Sequence, residues 1–375
     1  MARFTEKLIS QSRTGTIMIK QKLTAFLAGM LMATFACADN LALKEGHPDT
    51  YTVKKGDTLW DISGVFLQKP WYWPKIWQVN PQVKDPHWIY PGDVLNLVYI
   101  DGQPRLVTGV KKLSPGIRTS GAQDAVKSID IESIKPFLVS DYIFPNAESI
   151  DSLPYVLGDN SNNKAMVDVS VVYVKGNLQE GEQYGIYSSP KKYKDPITGE
   201  VLGYRAALSG VGVADAQREG ATPVTLVKTV KEVKQGERVI PLASVDGYDA
   251  YYYPKPATVP EAYILENVID TRYVGKNQVV VINKGTATGV SNGDVFEIYK
   301  EGVKISGASA DSVSYVDLGS AKDRLVSAMS QYSTLPSTTV GHVMVFKAYD
   351  KLSLGIVLDA TDFIPNGSKL ISPRD

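Results

Sequence analysis

Thiol and imidazole chemistry is almost absent from this chain. Its 375 residues include one cysteine, Cys37, and three histidines, His47, His87 and His342, all far apart. One cysteine excludes a disulfide framework. A zinc peptidase or amidase needs histidine and carboxylate ligands at short spacings, and three isolated histidines provide no such cluster. Each reads as a surface or loop residue. No glycine-rich phosphate loop is present; the glycines sit where β-turns need them. Apart from one stretch near the start, no apolar run approaches the roughly 20 residues that a spanning helix requires. Lysine plus arginine and aspartate plus glutamate balance at 40 each, so there is no basic stripe for nucleic acid. No metal or cofactor is expected.

The apolar stretch has the three parts of a secretory leader. Lys20 and Lys22 precede a run from Leu23, which ends in the small residues Ala36-Cys37-Ala38. This pattern predicts a signal peptide over 1–38, cut before Asp39, with translation starting at Met18 as an alternative to Met1. Thr34-Phe35-Ala36 fits the approach to a lipidated cysteine poorly, so cleavage is expected to leave neither a lipid nor a thiol nucleophile. The leader carries five basic residues against one acidic, and its removal takes the net charge from zero to −4.

All five tryptophans, Trp60, Trp71, Trp73, Trp77 and Trp88, fall within 29 residues, which marks a compact module. Tyr51-Thr52-Val53 alternates as a strand. Leu59, Ile62 and Phe66 recur at helical spacing behind Thr58 and Asp61, which are placed like a capping box. A second short helix is predicted from Pro74 through Ile76, Trp77 and Val79 to a stop at Asn80-Pro81. After the Pro91-Gly92 turn, residues 94–98 return as a strand. Residues 101–163 read as a small α/β connector, with a helix over 128–138 and a loop over 158–164.

Downstream lies an internal repeat. Residues 181–187 match 293–299 at an offset of 112, and the same ungapped offset pairs Lys164 with Lys276, Val167 with Val279, Val169 with Val281 and Leu178 with Val290. Residues 226–240 parallel 357–371. Each copy reads as short strands separated by glycine turns. With Gly341 aligned to Gly203, the second copy is 26 residues longer, the excess being serine-rich from Ser306 to Ser337 and read as a mobile loop or partner-binding insertion. Tyr251-Tyr252-Tyr253-Pro254-Lys255-Pro256 reads as a stiff linker.

The expected fold is therefore multidomain α+β. It comprises an N-terminal βααβ module (49–100), the connector (101–163), a first small β-domain (164–245), a linker (246–262) and a second small β-domain (263–375) with a serine-rich insertion at 300–339. A glycosidase needs paired carboxylates on a cleft scaffold, and these small β-modules provide no long helical or barrel framework for one. No catalysis is expected.

Residues 51–98 resemble the LysM family of peptidoglycan- and chitin-binding modules. The resemblance is carried by Tyr51 to Leu59, Ile62-Ser63, Ile76, Asn80-Pro81 and Ile89 to Leu95. It implies a shallow groove for N-acetylated glycan, with Gly56, Asp57, Thr58 and Leu59 on one lip and Asn80, Pro81, Ile89 and Tyr90 on the other. Amides at the start of the first helix lack partners within it and suit acetamido oxygens. Purely structural roles compete: Gly56 turns the chain, Asp57 or Thr58 caps the helix, and Leu59 joins the core. Trp77 reads as core, while Trp71 and Trp73 are left between a widened glycan site and packing on the connector or a partner.

The wider chain resembles a proteobacterial LysM family associated with the type IV pilus secretin. The resemblance rests on the tryptophan-rich insert Pro70 to Trp77. It also rests on a C-terminal region similar to that of flagellar assembly protein T, at residues 279–285, 293–299 and 340–346. This implies a periplasmic, non-enzymatic, peptidoglycan-binding adaptor near the outer membrane that braces the secretin ring and is itself a candidate ring-forming homo-oligomer. The alternatives are a peptidoglycan hydrolase accessory or cryptic cell-wall enzyme, and a flagellar basal-body assembly factor.

Overall fold

The computed structural model describes residues 41–77, 89–108, 141–242, 253–269, 271–306, 314–315 and 332–373. The predicted leader, the helix expected over 128–138, and Val79, Asn80, Pro81, His87 and Trp88 lie outside them.

The described chain is mostly β with few helices. In the N-terminal module, helix α1 (Leu59–Phe66) forms where the apolar spacing predicts it, with Leu59, Ile62 and Phe66 all buried. Thr58 Oγ1 accepts from the Asp61 amide at 3.1 Å, and Asp61 Oδ2 accepts from the Thr58 amide at 3.3 Å. This reciprocal capping box satisfies two donors that the helix cannot. A 3₁₀ turn (Pro70–Tyr72) leads into α2 (Trp73–Trp77). Strand β1 (Thr50–Thr52) pairs antiparallel with β2 (Val94–Ile100), and β2 continues into β3 (Gln103–Thr108). The third strand extends this sheet beyond residue 100. Asp101 and Gly102 take φ of 51° and 75°, the left-handed pair that matches a hairpin to the twist of its strands. Buried Leu106 and the Arg105 guanidinium, which donates to the Lys75 carbonyl, tie β3 to α2.

The downstream chain contains two closed barrels. The first uses β5 (Tyr155–Gly158), β6 (Val171–Lys175), β7 (Gln183–Tyr187), β9 (Val201–Ala214), β10 (Thr222–Thr229) and β11 (Arg238–Pro241). Its antiparallel order is β5-β6-β10-β9-β7-β11, returning to β5. β4 (Asp141–Phe144), the short helix α3 (Glu148–Asp151) and β8 (Lys191–Lys194) belong with it, β4 and β8 flanking the first half of β9. The second barrel uses β13 (Glu261–Asn267), β15 (Val279–Ile282), β16 (Asp294–Lys300), β20 (Thr338–Ala348), β21 (Ser353–Ala360) and β23 (Lys369–Ile371). Its order is β13-β15-β21-β20-β16-β23, again closed. β12 (Lys255–Pro256) lies parallel along β16, and β14 (Tyr273–Val274) pairs with β22 (Ile364–Pro365).

The two barrels have the same strand order, so the repeat extends to the topology. Ladder partners give the alignment. Ile186 faces Gly210 and Val239 in one barrel, whereas Ile298 faces Gly341 and Leu370 in the other. Val172 faces Val224, and Val280 faces Gly355. Equivalent residues are thus 108 apart in the first two strands, 112 in the third and 131 in the last three. The packing confirms this. A Cβ on Gly212 would run into Val224, while at the equivalent places a Cβ on Gly355 would run into Val343. The large and small partners have exchanged sides.

This alignment corrects the expected pairing of Val167 and Val169 with Val279 and Val281. The former two are exposed before β6, while the latter are buried in β15. Gly341 corresponds to Gly210, not Gly203, so the insertion is 19 residues and not 26. Nor is it only a loop, because β17 (Lys304–Ser306) pairs with β18 (Ser314–Tyr315) and β19 (Tyr332–Thr334). The connector boundary at 163 also moves, since 141–158 contribute strands to the first barrel's sheet. The end of the 246–262 linker likewise lies in strands β12 and β13. The small β-modules form a barrel framework after all, because six short strands with buried faces can satisfy every edge only by closing.

Each barrel fills its interior with apolar side chains, Val172, Ile186 and Leu226 in the first and Val280, Ile298 and Val357 in the second. A separate cluster lies on the outer face of the second barrel. There Val279, Val281, Met344 and Leu358 pack with Trp60 and Trp71 of the N-terminal module and with Ile143, Tyr193 and Leu202 from the β4-β9-β8 extension.

Candidate functional site

Two tight turns hold the described residues of the expected groove. Asp57 Oδ2 accepts from the Lys54 amide at 2.8 Å and from the Tyr51 hydroxyl at 2.9 Å, and the Asp57 amide donates to the Lys54 carbonyl. Gly56 turns the chain at φ 92°, in the left-handed region that glycine occupies without penalty, and nothing lies within 4 Å of where its Cβ would be. On the other side, the Tyr90 amide donates to Asp93 Oδ2 at 2.9 Å. The Gly92 amide donates to the Val53 carbonyl, and the Val53 amide to the Asp93 carbonyl, at 2.8 and 2.9 Å. Val53 therefore ties both turns together.

The structure places the predicted residues unevenly. Leu59 and Ile89 are fully buried, so neither presents a side chain to a ligand. Thr58 is the helix cap, and Asp57 is held by Tyr51 and Lys54. Tyr90 is half-buried beside the Pro91-Gly92 turn. Asn80 and Pro81 fall outside the described residues. With the capping box engaging the Thr58 and Asp61 amides, Leu59 and Trp60 have the first-turn amides without partners inside the helix. Burial, then the hydrogen bond to Asp57, pushes the Tyr51 hydroxyl up to about 12, so it stays a neutral donor in the turn.

The module is also used for docking, through Trp60, Asp61, Trp71 and Trp73, which the sequence reading did not assign. Trp60 Nε1 donates to Asp359 Oδ2 at 2.8 Å, and His342 Nδ1 lies 2.9 Å from Asp359 Oδ1. The His342 ring is 5.5 Å from Trp60 and 5.7 Å from Trp71. Lys276 reaches Asp61 Oδ1 at 2.7 Å, so the capping carboxylate also holds the second barrel. Trp73 stacks on Tyr253 at 5.8 Å. His342 is thus a half-buried junction residue, not a surface or loop histidine, and Trp71 and Trp73 are anchors to the barrel and its approach. Trp77 is buried, as a core residue should be. Five tryptophans in about 50 residues exceed what one small core can hold, and that excess was the available signal.

Residues 51–98 match the family model of the LysM domain, and this segment of the chain is a LysM domain. Such domains are binding modules for N-acetylated glycans such as peptidoglycan. A protein of Bacillus subtilis (strain 168), described as "Uncharacterized protein YqbP", is 47% identical over 60 residues, covering 13% of this chain and 27% of that protein. The chain thus spans about a quarter of that relative's length.

Proposed function

We propose that this protein is a non-enzymatic adaptor of the cell envelope, in which the LysM domain holds peptidoglycan and the tandem barrels hold a protein assembly. The observation that carries the reading is that the module's Trp60 and Trp71 are docked on the barrels while its two glycine turns are not buried. These tryptophan side chains are consumed by docking, while the turns at 54–58 and 90–93 remain at the surface for a ligand. A net gain of about 4 to 5.5 kcal/mol, after the cost of association, corresponds to a single-site Kd on the order of 0.1 to 1 mM. The finer identity of the assembly, an outer-membrane secretin of the type IV pilus, is supported by the resemblance of the 70–77 insert and of the C-terminal motifs. It goes with export by the 1–38 leader and residence in the periplasm.

Titration of the isotope-labelled protein with N-acetylglucosamine oligomers tests the groove. Amide shifts are expected at Gly56 to Trp60 and Ile89 to Asp93, saturating in the submillimolar to millimolar range. Shifts confined to the barrels would refute it. The secretin reading is tested by imaging a fluorescent fusion in cells with and without the secretin; unchanged localisation in its absence would sink that partner and leave a wall-binding protein.

A further inference from the structure

We propose that this chain assembles head to tail with copies of itself, the β17–β19 arm of one copy seating on the outer face of the first barrel of the next. The proposal stands on the duplication and is independent of the glycan reading. Within one chain the same contact already exists once. The first barrel extends an arm, the β8–β9 hairpin, whose Tyr193 and Leu202 are buried against the outer face of the second barrel.

The second barrel carries the equivalent arm. β17 follows β16 as β8 follows β7, at the 112-residue offset, and β19 leads into β20 at the 131-residue offset, where the first half of β9 stands in the other copy. Its described side chains include large apolar groups in water: Val303 is 56% exposed, Tyr315 75% and Leu335 39%.

The first barrel carries the equivalent face. Leu157, Val171, Tyr173, Val213 and Val227 correspond to Leu265, Val279, Val281, Met344 and Leu358. All five of the latter pack in the cluster covered by the first arm and the tryptophans. The first-barrel residues are uncovered: Leu157, Val171 and Val227 are 41%, 42% and 53% exposed, and Tyr173 and Val213 are half-buried. Each chain thus has one joined arm and face, one further arm and one further face. A contact between the last two is heterologous, so it closes a ring or extends a filament according to the rotation between copies.

Three differences set the strength of the contact, the first being Ser333 on the arm at the place of the buried Leu202. Thr225 and Gln183 stand where the second barrel has Ile356 and Val295, so the first face is more polar and tolerates exposure to water. The ion pairs that rim the internal junction, Lys191 with Glu266 and Lys351 with Glu200, fall at Val303, Gly158 and Gly220 in the equivalent places. The contact between copies therefore lacks those ion pairs and is weaker, and it forms with rising concentration.

Sedimentation equilibrium of the purified protein tests this with two exposed-site double variants, Val171→Lys with Val227→Asp on the face and Val303→Asp with Leu335→Lys on the arm. The wild type is expected to rise past twice the monomer mass with concentration, and each variant alone to lose that rise. An equimolar mixture, in which one protein retains the arm and the other the face, should stop at a one-to-one dimer. Circular dichroism verifies that the variants are folded. A wild type that stays monomeric to millimolar concentration would overturn the proposal, as would association that neither variant reduces. If that monomeric wild type captured a purified secretin and the face variant did not, the face would belong to the secretin and the proposal would fall.

Discussion

Removing the Asp359 carboxylate attacks the docking of the LysM domain from the barrel side, leaving the module itself unaltered. In Asp359→Ala, Trp60 Nε1 loses its acceptor while the indole is only 3% exposed, and a buried donor without a partner costs about 1 to 3 kcal/mol. His342 also loses its carboxylate, and with it the fixed ring position that meets Trp60 edge-on and Trp71 at a tilt. Because Asp359 is a third exposed, water recovers part of its own contribution, and a net loss of about 2 kcal/mol follows. At that value the undocked population rises about thirty-fold. All five tryptophans of the chain lie in the module, so intrinsic fluorescence reports on it alone. The variant should show red-shifted emission and greater acrylamide quenching, with faster hydrogen exchange over 59–66 and unchanged far-ultraviolet circular dichroism. Asp359→Asn retains an acceptor oxygen and should remain near wild type. Wild-type quenching and exchange in Asp359→Ala would show that this pair does not hold the domains together.

Other perturbations test the barrels. Arg205→Met removes the guanidinium that donates to Asp141 at 2.7 Å and to the Val268 carbonyl at 2.7 Å, both inside the junction; stranding a buried carboxylate should cost about 3 to 5 kcal/mol in urea unfolding. Gly355→Val and Val343→Gly should each destabilise by about 1 to 3 kcal/mol. Together they should recover most of the loss, because they recreate the exchanged arrangement at Gly212 and Val224, and a double-mutant cycle would measure the coupling. Burial raises the carboxyl of Glu237 above its usual range, with Ser209 donating to Oε1 at 3.0 Å. A raised folded-state value means stability is greatest at acid pH and falls as pH rises through that value. Glu237→Gln should therefore raise the melting temperature at pH 7 and lose this advantage at acid pH; an equal shift at both would refute it.

The parts legible from sequence are those decided by neighbours a few residues apart. Leu59, Ile62 and Phe66 recur at the helical period, and Thr58 and Asp61 meet across one turn, so α1 and its cap could be read directly. The Asp101-Gly102 hairpin was equally local and was overlooked, because the module was closed at its second strand. The repeat was visible at residues 181–187 and 293–299, where both copies keep the same glycine turn and strand. Its extent was not, because loops that lengthen by four and nineteen residues shift the offset without altering any ladder.

Tertiary structure alone decided which strands close each barrel and which outer face is covered. Whether Val171 is a surface residue and its counterpart Val279 a core residue depends on what packs above them, and both are valines in strands. The same holds for Trp60 and His342, 282 positions apart, whose meeting is an outcome of domain packing that no local period encodes. The groove residues divide along the same line. Sequence could place Gly56 to Leu59 at a helix start, since capping is local chemistry, but only the folded module could bury Leu59 and Ile89 completely while leaving Gly56 and Gly92 exposed.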